Sequence, residues 1–317
     1  MYHYSQIFKQ ALKIAFRNPG LWFFGLFVSL LGSAGEAEVL LGSYSFSGRG
    51  LLFSFWRGLA EGGLFTLAGV KGIFQALFIN PVYLFIILLI FLLVLGLSVL
   101  VVWLVMVSLS ALISQTISVS RNQNLNWQEG WQAGLIKFWP VFGLNVLLRA
   151  IISALFLIIG LLAFFNFPGS VAVFIAAFDI FITLVLIVSF IGKYAICGVV
   201  LKDWPFIDAI KSAWELFKRN WLLSFELAII LLGVYLITNS ILIFVLGLIL
   251  LYSLKLFAGF TFGLVIIFLL IFAVIVFVQV ILAIFHWASW AIVFELLTGK
   301  KSVLLSALKR GFDKVFG

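Results

Sequence analysis

The chain is predicted to be all-α: a polytopic membrane bundle of six transmembrane helices, with four amphipathic helices on the cytoplasmic face, arranged as three pseudo-repeats. Three observations lead there. The chain is 65% apolar and only 10% charged, with a mean hydropathy of +1.30, where soluble domains carry about 25% charged residues. Apolar runs long enough to cross a bilayer recur along it. Between them lie short stretches with helical apolar periodicity and Lys or Arg on the opposite face, the pattern of a helix lying in a membrane interface.

The clearest such stretch is Asp203–Asn220, DWPFIDAIKSAWELFKRN. Phe206, Ile210, Ala213, Trp214 and Phe217 form one face; Asp208, Lys211, Ser212, Glu215, Lys218 and Arg219 form the other. In the first stretch, residues 5–17, Ile7, Phe8, Ala11, Leu12 and Ile14 are expected to face lipid, with Gln6, Lys9, Gln10, Lys13 and Arg17 facing water. Asn18-Pro19-Gly20 breaks it, because proline cannot continue the ladder and constrains its predecessor. A first span is expected from Leu21 to about Leu41, serving as its own uncleaved signal.

Residues 42–80 read as a loop followed by a glycine-loosened helix on the outer surface, with a re-entrant segment as the alternative. From Asn80-Pro81 no charge occurs until Arg121. As one helix that run is ~58 Å long, nearly twice the ~30 Å of hydrocarbon. It contains no Pro or Asn for a turn, so a single tilted helix projecting into the cytoplasm is expected. Asn126 caps the second amphipathic helix, with Glu129 three residues on as in a capping box; Trp127, Trp131, Leu135 and Phe138 form its apolar face, and Pro140 is expected to end it. The third span runs to about Phe165, Asn166-Phe167-Pro168-Gly169 turns, and the fourth returns to about Leu201. A fifth span from Trp221 to about Leu251, a connection at Tyr252–Lys255, and a sixth span to Leu297 follow. Residues 300–316 form the closing amphipathic helix, Leu304, Leu305, Leu308, Phe312 and Val315 opposite Lys309, Arg310, Asp313 and Lys314.

The amphipathic stretches share a register. Ala209–Trp214 aligns with Ile7–Leu12, Gly130–Leu135 and Ala307–Phe312, small residues recurring four apart in three of the copies. The pseudo-repeats are placed at about 1–120, 121–202 and 203–297 of one integral membrane domain, 1–317. Two spans between successive copies put all four on one side. That side collects Lys9, Lys13, Arg17, Arg121, Lys137, Lys202, Lys211, Lys218, Arg219 and the C-terminal basic cluster, against Arg49, Arg57, Lys71 and Lys255 on the other. The bias predicts a multi-pass protein of the inner (plasma) membrane with both termini cytoplasmic.

A long inward helix, a short polar link and an amphipathic helix, at residues 110–138, 192–219 and 288–315, resemble a group of bacterial membrane domains. The group includes the membrane-anchor domain attached to some glycerophosphodiester phosphodiesterases and related uncharacterised six-helix proteins. Ser5–Gly35, with NPGLWFFGLFVSLLGSAGE, is similar to proteins of this kind. The resemblance implies a six-helix membrane fold. The family's hydrolytic activity belongs to a separate soluble barrel for which this chain has no room, so it is not carried over.

The residues point to no enzyme, cofactor or metal. There are two histidines, His3 and His286; no Walker loop or Gly-x-Ser-x-Gly elbow occurs, and no His, Asp and Glu fall at ligand spacing. Cys197, the one cysteine, is expected to be a buried thiol. Gly259 and Gly263 suggest close helix contact. Trp22, Trp127, Trp139, Trp204, Trp221 and Trp287 are expected at membrane boundaries. The net charge of +9 gathers at the ends of apolar runs, which fits anionic inner-leaflet lipid as the partner and excludes nucleic acid; a membrane or cytoplasmic protein partner is also compatible. Ionisable groups within apolar runs, Arg149, Asp179, Lys193 and Glu226, with His286 and Gln279 beside them, form a candidate intramembrane polar network. Glu295 is expected to be solvated. Two functions follow: a non-enzymatic protein that organises the lipid surface or docks a partner, and a transporter of a small solute or lipid through a polar path near Arg149, Asp179 and Glu226. The threefold pairing of spans resembles mitochondrial carriers in architecture only, since their Pro-x-Asp/Glu-x-x-Lys/Arg gate is missing.

Overall fold

Runs of Leu, Ile, Val and Phe without charge have one low-energy form in a bilayer, the helix, whose backbone satisfies itself. The computed structural model describes residues 4–30, 81–164, 171–256 and 261–299, and every element in these is helical. The order is α1 (Tyr4–Arg17), α2 (Gly20–Ser29), α3 (Pro81–Ser120), α4 (Trp127–Ile136), α5 (Phe138–Phe164), α6 (Val171–Lys202), α7 (Phe206–Arg219), α8 (Trp221–Leu256) and α9 (Thr261–Thr298). Among the described residues five helices, α3, α5, α6, α8 and α9, are long and apolar enough to cross a membrane; the protein is a polytopic membrane protein. The expected first span is described only as far as Leu30. The expected features at residues 42–80, Asn166–Gly169, Gly259 and 300–316 lie outside the described residues.

Two compact units are present: Glu38–Leu104, and the remainder, up to Ala37 and from Val105. In the smaller unit, the described part of α3 is exposed at every position from Phe85 to Leu100, as a helix surrounded by lipid would be. α3 continues unbroken for 40 residues, ~60 Å.

The larger unit is organised where α3, α6 and α9 end. Every residue from Val280 to Glu295 of α9 is buried. Around it pack α1, with Phe8 against Phe285 at 6.0 Å, and α2, with Trp22 edge-on to Phe277 at 5.1 Å. α6 contributes Phe190 and Tyr194 against Trp290 at 5.7 and 5.5 Å. A Cβ on Gly25 of α2 would lie 2.6 Å from Ile284, so this crossing requires glycine. The α8–α9 contact includes a hydrogen bond from Gln279 Nε2 to Asn239 Oδ1 at 2.7 Å.

Boundaries follow local chemistry. Asn18 Nδ2 donates to the Ile14 carbonyl at 3.0 Å where α1 ends. Asn122 and Asp203, just past α3 and α6, have φ of 60° and 57°, values Asn and Asp tolerate better than other non-glycine residues. Gln123 N–H then donates to Ser118 O at 3.0 Å, closing the helix end in the Schellman manner. Asn126 caps α4 as expected, accepting from Gln128 and Glu129 N–H at 3.1 and 3.5 Å. Its own N–H goes to Gln115 Oε1 at 3.2 Å, while its amide donates to Glu129 Oε1 at 2.9 Å. Two boundaries differ from expectation. α4 stops at Ile136, and Pro140 lies in the first turn of α5, where its missing N–H had no helical partner to lose. α8 runs on through Tyr252–Lys255 to Leu256.

Candidate functional site

The amphipathic helices do not rest on lipid alone. α4 runs back along α3: a Cβ on Gly130 would lie 2.7 Å from Gln115, and one on Gly134 only 2.5 Å from the Val107 carbonyl oxygen. α7 runs back along α6, with Trp204 seated on Gly198 and Phe217 against Phe190 at 6.0 Å. From Val107 to Ser120 is ~20 Å of helix, so α3 projects well past the point where α4 hands the chain to the next span.

This corrects the faces assigned to α1 and α7. In α1 the buried residues are Ile7, Ala11, Ile14 and Ala15; in α7 they are Ala209, Ala213 and Phe217, and in α4 Gly130 and Gly134. Small side chains let these helices approach the long ones closely. The large apolar residue directly after the aligned Ala11, Gly134 or Ala213 stays uncovered in each: Leu12 is 41% exposed, Leu135 41% and Trp214 43%. Phe16, Trp139 and Ile207 extend these uncovered strips. Exposed cations border them, Lys9, Lys13 and Arg17 on α1, Lys211 and Lys218 on α7, and Lys218 Nζ lies 5.5 Å from the Trp214 ring centroid. Each helix thus has one face locked on protein, an uncovered apolar strip and a polar face.

The helix ends are tied by charge. Glu295, expected to be solvated, is buried: Arg121 donates to its Oε1, and Lys202 Nζ lies 4.0 Å from its Oε2. Arg121 follows α3, Lys202 ends α6 and Glu295 is in α9, so one carboxylate joins all three. Lys137 pairs with Asp203, linking the end of α4 to the start of α7. Gln10 Nε2 donates to Ser120 O at 3.3 Å.

Of the candidate intramembrane network, Lys193 and His286 are buried, Glu226 is half-buried, and Arg149 and Asp179 are exposed on the apolar surface. Lys193 Nζ lies 4.8 Å from the Trp290 ring centroid, a cation–π contact in a water-poor setting. Tyr194 and Ser224 hydroxyls share a hydrogen bond of 2.7 Å between α6 and α8. Cys197 is buried, as expected. Trp139 and Trp221 are exposed as boundary anchors are, whereas Trp287, expected among them, is buried in the bundle. Among the described residues no three His, Cys, Asp or Glu side chains form a metal-binding group. The joining role of Glu295 was missed from sequence; the available signal was that basic residues recur at the ends of α3 and α6.

Comparison with known protein families, with curated proteins and with solved structures gives no match.

Proposed function

We propose that the chain is a non-enzymatic membrane protein that binds and organises the anionic leaflet through α1, α4 and α7. The carrying observation is the equal exposure of Leu12, Leu135 and Trp214 (41%, 41% and 43%) at aligned positions, each next to a face fixed on the bundle. Apolar strips held at one end of the bundle, those of α1 and α7 edged by lysine and arginine, suit the headgroup–acyl boundary, where each cation near an anionic surface contributes ~1 kcal/mol. The same alignment supports three pseudo-repeats, and the basic bias supports placing this end, with both termini, on the cytoplasmic side of a bacterial inner membrane. The resemblance to membrane-anchor domains supports a role without catalysis.

The test is site-directed nitroxide labelling in mixed phosphatidylcholine–phosphatidylglycerol vesicles; Cys197 is buried and can remain. Labels at 12, 135 and 214 should be more accessible to oxygen than to an aqueous nickel chelate, and labels at 9, 132 and 211 the reverse. Replacing Lys9, Lys13, Lys211 and Lys218 by Gln should reduce phosphatidylglycerol association several-fold. Aqueous accessibility at 12, 135 and 214 would remove the proposal.

A further inference from the structure

Between α7 and the end of α9 lies a cavity of about 440 Å³, lined by Trp204, Ser212, Glu215, Arg219 and the leucines 216, 296 and 297, with Asn220 and Gly299 at its edge. Its size falls within the ~300–1,000 Å³ of small-molecule sites. Glu215 and Arg219 are one helical turn apart, a spacing at which opposite charges commonly pair. Neither makes an ion pair among the described residues, and both line the cavity. The indole wall is held in place: Trp204 packs on Gly198, where a Cβ would lie 2.1 Å from the ring, and its ring meets Phe294 at 5.6 Å. Asn220 Nδ2 donates to the Leu216 carbonyl at 3.0 Å, fixing the end of α7. Arg219 and Asn220 directly precede Trp221, the first residue of the α8 span, which is headgroup level for a chain entering hydrocarbon. The cavity therefore offers a cation and an anion without ion-pair partners among the described residues, an aromatic side chain and an apolar flank at that level.

We propose that this cavity binds a zwitterionic phosphoamine, the phosphoethanolamine headgroup of a lipid. Arg219 and the Ser212 hydroxyl donate to the phosphate, since guanidinium matches phosphate oxygens in a bidentate fork. Glu215 accepts N–H bonds from the primary ammonium, which also lies over the face of Trp204. Leu216, Leu296 and Leu297 receive the start of the acyl chains. A quaternary amine has no N–H to give Glu215, and an anionic glycerol headgroup brings no cation to it, so the site discriminates by charge pattern. The lipid source rests on the reading that this end of the bundle meets a leaflet; the recognition chemistry does not.

The experiment is titration of the full chain in detergent micelles with dihexanoyl phosphatidylethanolamine, the matching phosphatidylcholine and phosphatidylglycerol, and soluble O-phosphoethanolamine. The ethanolamine lipid should bind at least tenfold more tightly than the other three probes. Arg219→Ala should abolish that binding, Ser212→Ala weaken it several-fold, and Glu215→Gln weaken it about tenfold while leaving or improving phosphatidylglycerol binding. Thermal unfolding of each variant checks that these surface changes leave the fold intact. Equal binding of phosphatidylglycerol with no effect of Glu215→Gln overturns the proposal in favour of a plain anion site. Equal binding of soluble O-phosphoethanolamine overturns the lipid assignment, and no binding of any probe overturns the site. Micelles present no leaflet, so a failure here leaves the labelling result on α1, α4 and α7 standing, and the converse holds too.

Discussion

The two halves of α9 differ in composition and have opposite fates, the more apolar half being the exposed one. Phe262–Phe277 is largely exposed, whereas every residue from Val280 to Glu295 is buried. The same contrast runs across the chain, where the most apolar stretches of α3 and α9 are scarcely buried and the less apolar stretch of α6 is more than half buried. In water this order would be paradoxical. In lipid it is expected, because the solvent is as apolar as leucine and burial is driven by close packing and hydrogen bonds. The first half of α9 is Ile, Leu, Phe and Val apart from Gly263 and Ala273; the second inserts Ala283, His286, Ala288, Ser289 and Ala291. Small and polar side chains, more than hydrophobicity, mark where this protein touches itself.

The contrast is tested most severely by enlarging a matched pair of alanines. Ala288 is fully buried and Ala273 exposed. Ala288→Leu forces three extra carbons into a packed interior and should cost about 3 kcal/mol, the upper part of the usual overpacking range. Ala273→Leu projects into lipid and should leave the unfolding midpoint unchanged. Equal effects, measured by thermal unfolding in detergent, would mean that α9 is packed alike along its length.

A smaller and opposite-signed pair uses glycine. At Gly134 an added Cβ meets the Val107 carbonyl oxygen at 2.5 Å, while at Gly96 nothing lies within 4 Å. Gly134→Ala has to push α4 off the α3 backbone, and a net loss of about 2 kcal/mol is expected. Gly96→Ala removes only the backbone freedom of glycine in a helix and should gain up to about 1 kcal/mol. Stabilisation at both positions would show that α4 is not seated on α3.

Much of this was legible from residues. Uncharged runs located the long helices, and the absence of any Pro or Asn after Pro81 as far as Ser120 forecast one helix. Asn126 with Glu129 forecast a cap. The faces of α1 and α7 were misassigned because a two-letter pattern counts Ala213 and Trp214 as equals, although only alanine fits against another backbone. Glu295 was misjudged because its neighbours along the chain suggest a wet helix end; the group that buries it, Arg121, is 174 positions away. Distant partners of that kind carry no local signature. Pro140 misled for a different reason, since it is compatible with both the end of one helix and the first turn of the next.

The ion pairs sharpen the same comparison with the smallest expected changes. The Glu295 side chain is 7% exposed and its Arg121 partner 51%, whereas Lys137 and Asp203 are 22% and 76% exposed. Glu295→Gln keeps the shape and one acceptor oxygen but removes the charge that holds Arg121 and Lys202, so a cost of about 1–2 kcal/mol is expected from the charged hydrogen bond alone. Lys137→Gln should cost less than about 1 kcal/mol, as exposed pairs do. Salt separates them further: at about 1 M the screening length shrinks to ~3 Å, which should erase the Lys137 effect and leave most of that at Glu295. If both effects vanished together, the carboxylate joining α3, α6 and α9 would be as wet as the surface pair, and burial at this end of the bundle would rest on apolar packing alone.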